Sequence, residues 1–277
     1  MPFRDASLDH RSRKYGVFAG TYGWHSGCER YIAWSLDDGQ LGTEMETEVE
    51  KRTQFGLASV ETEPLHEKVY REIARALISG QFEPGQKLTS RKLAKELGTS
   101  DMPVRSALLR LQALHALNAL PNGSLEVPVM TVEAFSQLTD ARKLLEGGAT
   151  ARASALLNGN NLRTVRRLSN ELTEAARKGD IGQYLAANYD FKFSIYRHCG
   201  NEALIFLIET LWMQVGPFLR RFAEGFDGDL SGILAIDYHE DALAALEAGN
   251  ADAASAAIIK DIEAGAVYLL ANARFGD

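Results

Sequence analysis

The sequence is poor in cysteine. Its only two, Cys28 and Cys199, lie far apart and follow no metal-ligand spacing, which favours a reduced, cytoplasmic compartment over a disulfide scaffold. No uninterrupted apolar run approaches the roughly 18 residues of a membrane span, so no membrane partner is expected. Excess positive charge is missing too: the formal net charge is −7, which argues against a protein that coats nucleic acid over its whole surface. The chain also has no nucleophile and base constellation and no phosphate-cradling glycine loop, and this disfavours an enzyme. What is present is 45 % hydrophobic and 24 % charged sequence over 277 residues, enough for a globular protein of one or two domains.

Residues 1–60 carry scattered Gly, Ser, Asp and Thr, with aromatics such as Tyr15, Trp24 and Trp34 that follow no period. They read as an irregular or disordered extension, with Met45 as an alternative start. The texture changes at Pro64. Val69, Ile73, Leu77 and Ile78 recur at helical spacing, and GQFEPGQKL then supplies the Gly and Pro of a turn, so a helix ends near Gly80. SRKLAKELG predicts a short helix capped by Ser90, and TSDMPVRSALLRLQAL a third, capped by Thr99 or Ser100 with Pro103 in its first turn. LNALPNGSLEVPVM, with a central Asn-Gly, reads as a small β-hairpin. The expected fold is mainly α: a winged helix-turn-helix over residues 61–130, then an all-α bundle of about six helices over 131–277. The helices are expected near 132–156, 160–178, 181–199, 201–225, 231–248 and 251–274.

Charge is uneven along the chain. Residues 64–128 hold nine Lys or Arg against six Asp or Glu, near +3 inside an acidic protein. A recognition helix offers its N-terminal side chains to base edges while flanking basic groups hold phosphates. Arg105 sits one turn into the third helix with Met102 and Ser106 beside it, and Arg91 and Lys95 on the preceding helix reach for the backbone. Further on, Lys192 in YDFKFSIYRHC falls within the stripe of Tyr189, Ile195, Tyr196 and Cys199, which requires it either to snorkel at the edge or to be buried against a carboxylate. His239 and Asp261 likewise fall on apolar helix faces, whereas His198 reads as a helix-end or core histidine.

The run VYREIARALISGQFEPGQKLTSRKLAKELGTSDMPVRSALLRLQAL resembles the DNA-binding domain of the GntR family of bacterial transcriptional regulators. The PG turn, the LA-x-x-LG-x-S segment and the PVR-x-AL-x-x-L helix stand in its order, and the helical remainder with its Gly200-Asn201 resembles the FadR-type branch with an FCD effector domain. The resemblance spans about residues 62–274. It implies operator DNA as partner, a small organic acid effector, and a homodimer matched to a pseudo-palindromic site. It also implies DNA contacts from Arg91 and Arg105 and a wing tip at Gly123. Asp101 departs from the family's usual arginine, which implies altered or weakened operator contact.

In FCD domains of the metal-binding type, one Asp and three His surround a divalent ion that often receives a carboxylate effector. The resemblance places the Asp at Asp140, two before the family's arginine at Arg142, and the three His positions at Lys192, His239 and Asp261. Two histidines are thus replaced, so no cofactor is expected. Three readings stay open: Lys192 stands in for the ion in a pocket that takes an anion with Arg142; Asp140, His239 and Asp261 bind Zn, Ni or Mn with waters; or the site is a structural ion-pair network. A non-sensing DNA-binding dimer and a metal-dependent hydrolase are the alternatives to a ligand-responsive regulator.

Overall fold

The computed structural model describes residues 63–121, 123–226 and 230–276; the extension of residues 1–60 and Cys28 lie outside the described residues. Helix α1, Leu65–Ile78, buries Val69, Ile73, Leu77 and Ile78, the residues whose spacing announces it. It ends in a Schellman turn. Gly80 at φ +63 lets its amide bond Leu77 O while the Gln81 amide bonds Ala76 O.

Strand β1 (Lys87–Leu88) leads to α2 (Ser90–Glu96) and α3 (Asp101–Ala113), and β2 (Asn118–Ala119) and β3 (Leu125–Glu126) form the wing. The cap of α2 is Thr89 and not Ser90, because the Thr89 hydroxyl accepts from the Lys92 amide at 3.4 Å. At α3 the cap residue is Ser100, which makes no side-chain capping bond. The sheet is antiparallel in the order β1-β3-β2, so the wing is anchored by a strand from before α2 that the hairpin pattern did not announce.

Six α-helices follow among the described residues: α4 (Val132–Ser154), α5 (Gly159–Lys178), α6 (Ile181–Tyr196), α7 (Glu202–Leu219), α8 (His239–Glu247) and α9 (Ala251–Asn272). Thr131, Asn158, Asp180, Asn201 and Asn250 cap α4, α5, α6, α7 and α9 with side-chain oxygens, which satisfies first-turn amides that have no helical partner. The main packing pairs are α4 with α9, α5 with α6, and α8 with α9.

Two expected spans break. The helix expected over 201–225 ends as an α-helix at Leu219, with Pro217 inside its last turn, and continues as a 3-10 segment, Arg220–Gly225. The span 231–248 splits into a 3-10 segment, Leu230–Ala235, and α8, because Asp261 Oδ1 takes the Tyr238 amide at 3.0 Å and Asp237 Oδ1 the His239 amide at 3.0 Å.

The stretch Glu202–Ala223 is long and apolar enough by composition to cross a membrane, as the core helix of a folded bundle can be, and half of it is buried within the protein. It packs against α1 and α4. One continuous hydrophobic core runs from the helix-turn-helix head into the bundle, from Leu77 and Leu111 through Trp212 and Phe218 to Leu269.

Candidate DNA interface and effector pocket

The α3 helix buries Val104, Ala107, Leu108 and Leu111 against the head and so turns Asp101, Met102, Arg105 and Ser106 outward. Arg91, Asp101, Arg105 and Gly123 line one open groove of about 740 Å³ between α2, α3 and the wing. Lys95 is exposed on α2, and Met102, 75 % exposed, and Ser106 project from α3 outside the groove. Gly123 has φ +78 and open space around it, consistent with a hairpin tip that approaches another surface. Arg110 is occupied within the head: it pairs with Glu67 at 3.0 Å and stacks 3.8 Å from the Tyr70 ring centroid.

Inside the bundle a cavity of about 30 Å³, room for roughly two waters, lies among α4, α6, α9 and the 3-10 segments. Its polar lining is Thr139, Arg142, Tyr184, Asn188, Lys192 and Asp261; Phe135, Leu219, Phe222 and Ile233 supply much of the apolar wall. Lys192 is 2 % exposed and its Nζ donates to Asp261 Oδ2 at 2.5 Å. Burial nevertheless holds the Asp261 carboxyl above the usual carboxylate range, outweighing the attraction of Lys192, with the charge of Asp237 pushing the same way.

Arg142, also buried, donates from Nε to Glu146 Oε1 at 2.6 Å and sits 4.9 Å from the Trp212 ring centroid. Glu146 is fully buried and satisfied. It also accepts from Trp212 Nε1 at 3.0 Å and from the Tyr196 hydroxyl at 2.6 Å, and burial followed by this carboxylate raises the Tyr196 phenol well above its ordinary value.

Beside the cavity stands a second cluster. His239 Nδ1 lies 2.6 Å from Asp237 Oδ1, its Nε2 lies 2.8 Å from Thr173 Oγ1, and the Tyr184 hydroxyl donates to Asp237 Oδ2 at 2.7 Å. Burial alone would lower the imidazole, but the Asp237 carboxylate holds His239 above its ordinary value. Against burial, the bonds from His239 and Tyr184 hold Asp237 below the carboxylate range. As a cation His239 donates at both nitrogens, and the single proton of the Thr173 hydroxyl has Ser169 O and Glu240 Oε1 as its two acceptors within reach.

Asp140 is corrected. Its side chain is 74 % exposed and pairs with Lys143 at 3.0 Å, outside the cavity. A helix turns about 100° per residue, and the inward face of α4 is set by Phe135, Thr139, Arg142 and Glu146, so the cavity receives Thr139 instead. The structure therefore brings Arg142, Lys192 and Asp261 together, sets His239 beside them in contact with Asp237, and leaves Asp140 out. His198 is half-buried at the end of α6, with Nδ1 at 2.9 Å from Ser194 O. Sequence reasoning missed Glu146, Asp237, Thr173 and Tyr184. The spacing of Arg142 to Glu146 and of Asp237 to His239 was the available signal.

Residues 65–127 match the family model described as bacterial regulatory proteins, gntR family, and residues 137–264 match the FCD domain. The HTH-type transcriptional regulator McbR of Escherichia coli K12 is 32 % identical over 160 residues, 58 % of this chain and 72 % of McbR. The chain belongs to the GntR family. The solved structure of E. coli McbR/YncC superposes with a TM-score of 0.68 at 29 % identity, covering 73 % of this chain and 95 % of that one. A GntR regulator from Rhodococcus sp. RHA1, 21 % identical, shares the fold at a TM-score of 0.61 over 76 % of this chain and 99 % of its own. A probable D-xylose utilization operon transcriptional repressor of Paenarthrobacter nicotinovorans is 27 % identical over 73 % of this chain and 85 % of that protein. This GntR-family protein is a transcriptional regulator with an FCD effector-binding domain, and not an enzyme.

FCD domains in the family bind metals or small ligands. Among the described residues, the donors at this site do not fit a metal. An ammonium has no lone pair to give while it holds Asp261, both ring nitrogens of His239 face protein partners, and Asp140 faces away.

Proposed function

We propose that this regulator binds its operator as a cytoplasmic homodimer through α3 and the wing, and that a small organic acid held between Arg142 and Lys192 sets its operator affinity without a metal. The observation that carries this reading is Lys192, buried at 2 % exposure and facing the same cavity as Arg142. Two fixed cations that line one small space, each held by a single carboxylate, suit a ligand carboxylate that shares their donors. The Asp261 carboxylate, which now holds Lys192, is the group a ligand carboxylate would replace there. Arg91, Lys95 and Arg105 supply phosphate and base contacts, with Asp101, Met102 and Ser106 completing the face of α3 and Gly123 letting the wing approach a groove. Asp101 reads a cytosine amino group or weakens backbone contact.

The size of the cavity favours a second reading, a regulator whose pocket is a structural ion-pair network. About 30 Å³ admits no organic acid until the wall moves. A thermal-shift screen of mono- and dicarboxylates on metal-stripped protein separates the two. Stabilisation by at least one acid that is lost in Arg142→Gln supports the effector reading; a flat screen restored by added Zn, Ni or Mn overturns the metal-free part, and a flat screen throughout leaves the structural network.

A further inference from the structure

Contacts between the effector domain and the head converge on one turn. At Gly216, near the end of α7, an added Cβ would lie 2.5 Å from Leu77 O and 2.6 Å from Ile78 O, so the backbones of α7 and α1 touch with no side chain between them. At Gly80 a Cβ would meet Arg220 Cγ at 2.8 Å, Leu185 Cδ1 at 2.9 Å and Gly216 O at 3.1 Å. Arg220 Nη1 also donates to Gly80 O at 2.7 Å. The turn that ends α1 is therefore gripped from three sides by groups of the effector domain.

The same two segments line the cavity. Leu219 and Phe222 face it on either side of Arg220 in the chain, and Tyr184 faces it next to Leu185. A second bond, Gln214 Nε2 to Leu114 O at 3.2 Å, ties α7 to the C-terminal end of the recognition helix. From this geometry we infer that the Gly80 turn, held by Arg220, Leu185 and Gly216, is the relay through which the cavity wall positions the DNA-binding head. Arg220, Gly80 and Gly216 are positioning residues for operator binding. An occupant larger than the present space moves Leu219 and Phe222, Arg220 moves with them, and the close backbone contact leaves no compressible layer to absorb the shift.

The inference rests on the effector reading only for what fills the cavity in the cell, and its test needs no effector. Gly265 on α9 faces the wall: a Cβ there would lie 3.1 Å from Phe222 Cζ, so Gly265→Ala presses on the 3-10 segment from inside. Full-length wild type, Gly265→Ala, Arg220→Lys and the double variant are compared on a duplex selected by the wild-type protein from a randomised pool, with hydrogen exchange of the amides of residues 79–81 measured in parallel. Ala266→Val, another cavity-lining change, replaces Gly265→Ala if that variant does not fold. The expected result is an affinity change of about fivefold or more in Gly265→Ala, altered exchange at the Gly80 turn, and a change reduced to less than about twofold once Arg220 is replaced. Unchanged affinity and unchanged exchange in a folded wall variant overturn the relay, and so does an affinity change that persists undiminished in the double variant. A carboxylate screen that stays flat with added metal, alongside a positive result here, removes the effector reading and leaves the relay standing.

Discussion

Lys192 shows what a single buried charge demands. Its Nζ has Asp261 at 2.5 Å, and the aromatic ring of Trp212 is centred 5.9 Å away. Replacement by methionine removes one partner of a buried pair, and the expected loss in urea unfolding is about 3–5 kcal/mol. Lys192→Met with Asp261→Asn is expected to recover most of that loss, since no uncompensated carboxylate then remains. A second residue-scale expectation concerns His239. Its folded-state value is raised, so its contribution to stability is fully present below about pH 6.5 and is lost as the pH rises through the folded value. Asp237 is lowered, so its contribution is present above the unfolded carboxylate range and is lost as the pH falls through the folded value. Unfolding free energies measured from pH 5 to 9 should decline on the alkaline side in wild type. Asp237→Asn should show a shallower decline, the part due to the raised Asp261 carboxyl remaining; an identical slope in the variant removes the ion-pair assignment.

At the scale of elements, legibility followed periodicity. The apolar spacing of α1, α3 and α5 marks buried faces directly, and Gly or Asn at the breaks marks ends, so these helices were readable within a few residues. The site was readable where one residue dominates a face, as at Lys192, and unreadable where rotation matters. Asp140 and Thr139 are neighbours in sequence, yet one turns to water and the other to the cavity. Likewise β1 pairs only through a contact with β3 far along the chain, and the break before α8 depends on Asp261 from the last helix; local pattern carries no trace of either. Asn250 offers an element-scale check, because its side chain caps α9 at the Ala253 amide, 3.0 Å away, and α9 carries Asp261. Asn250→Ala should cost about 1 kcal/mol of stability, and Asn250→Ser should retain most of it in the same denaturation series.

For the whole molecule, the sign of the charge depends on where one stands. The chain is at −7, but residues 64–128 are near +3, and Arg91 and Arg105 face the same groove. Operator binding should therefore weaken steeply between about 50 and 200 mM salt, through counterions released from phosphates. Fluorescence anisotropy should show Arg105→Ala losing about 1–3 kcal/mol together with discrimination at one base position. Arg91→Ala should instead lower affinity similarly on all sequences and flatten the salt dependence.

The direct contact of Gly216 with the last turn of α1 also bears on how such proteins diversify. A head exchanged for that of a relative would have to present the same bare backbone to α7 and a glycine in the left-handed region beneath Arg220. A chimera of this chain that keeps Gly80 and Gly216 therefore keeps the backbone contact between α1 and α7 under its new DNA specificity.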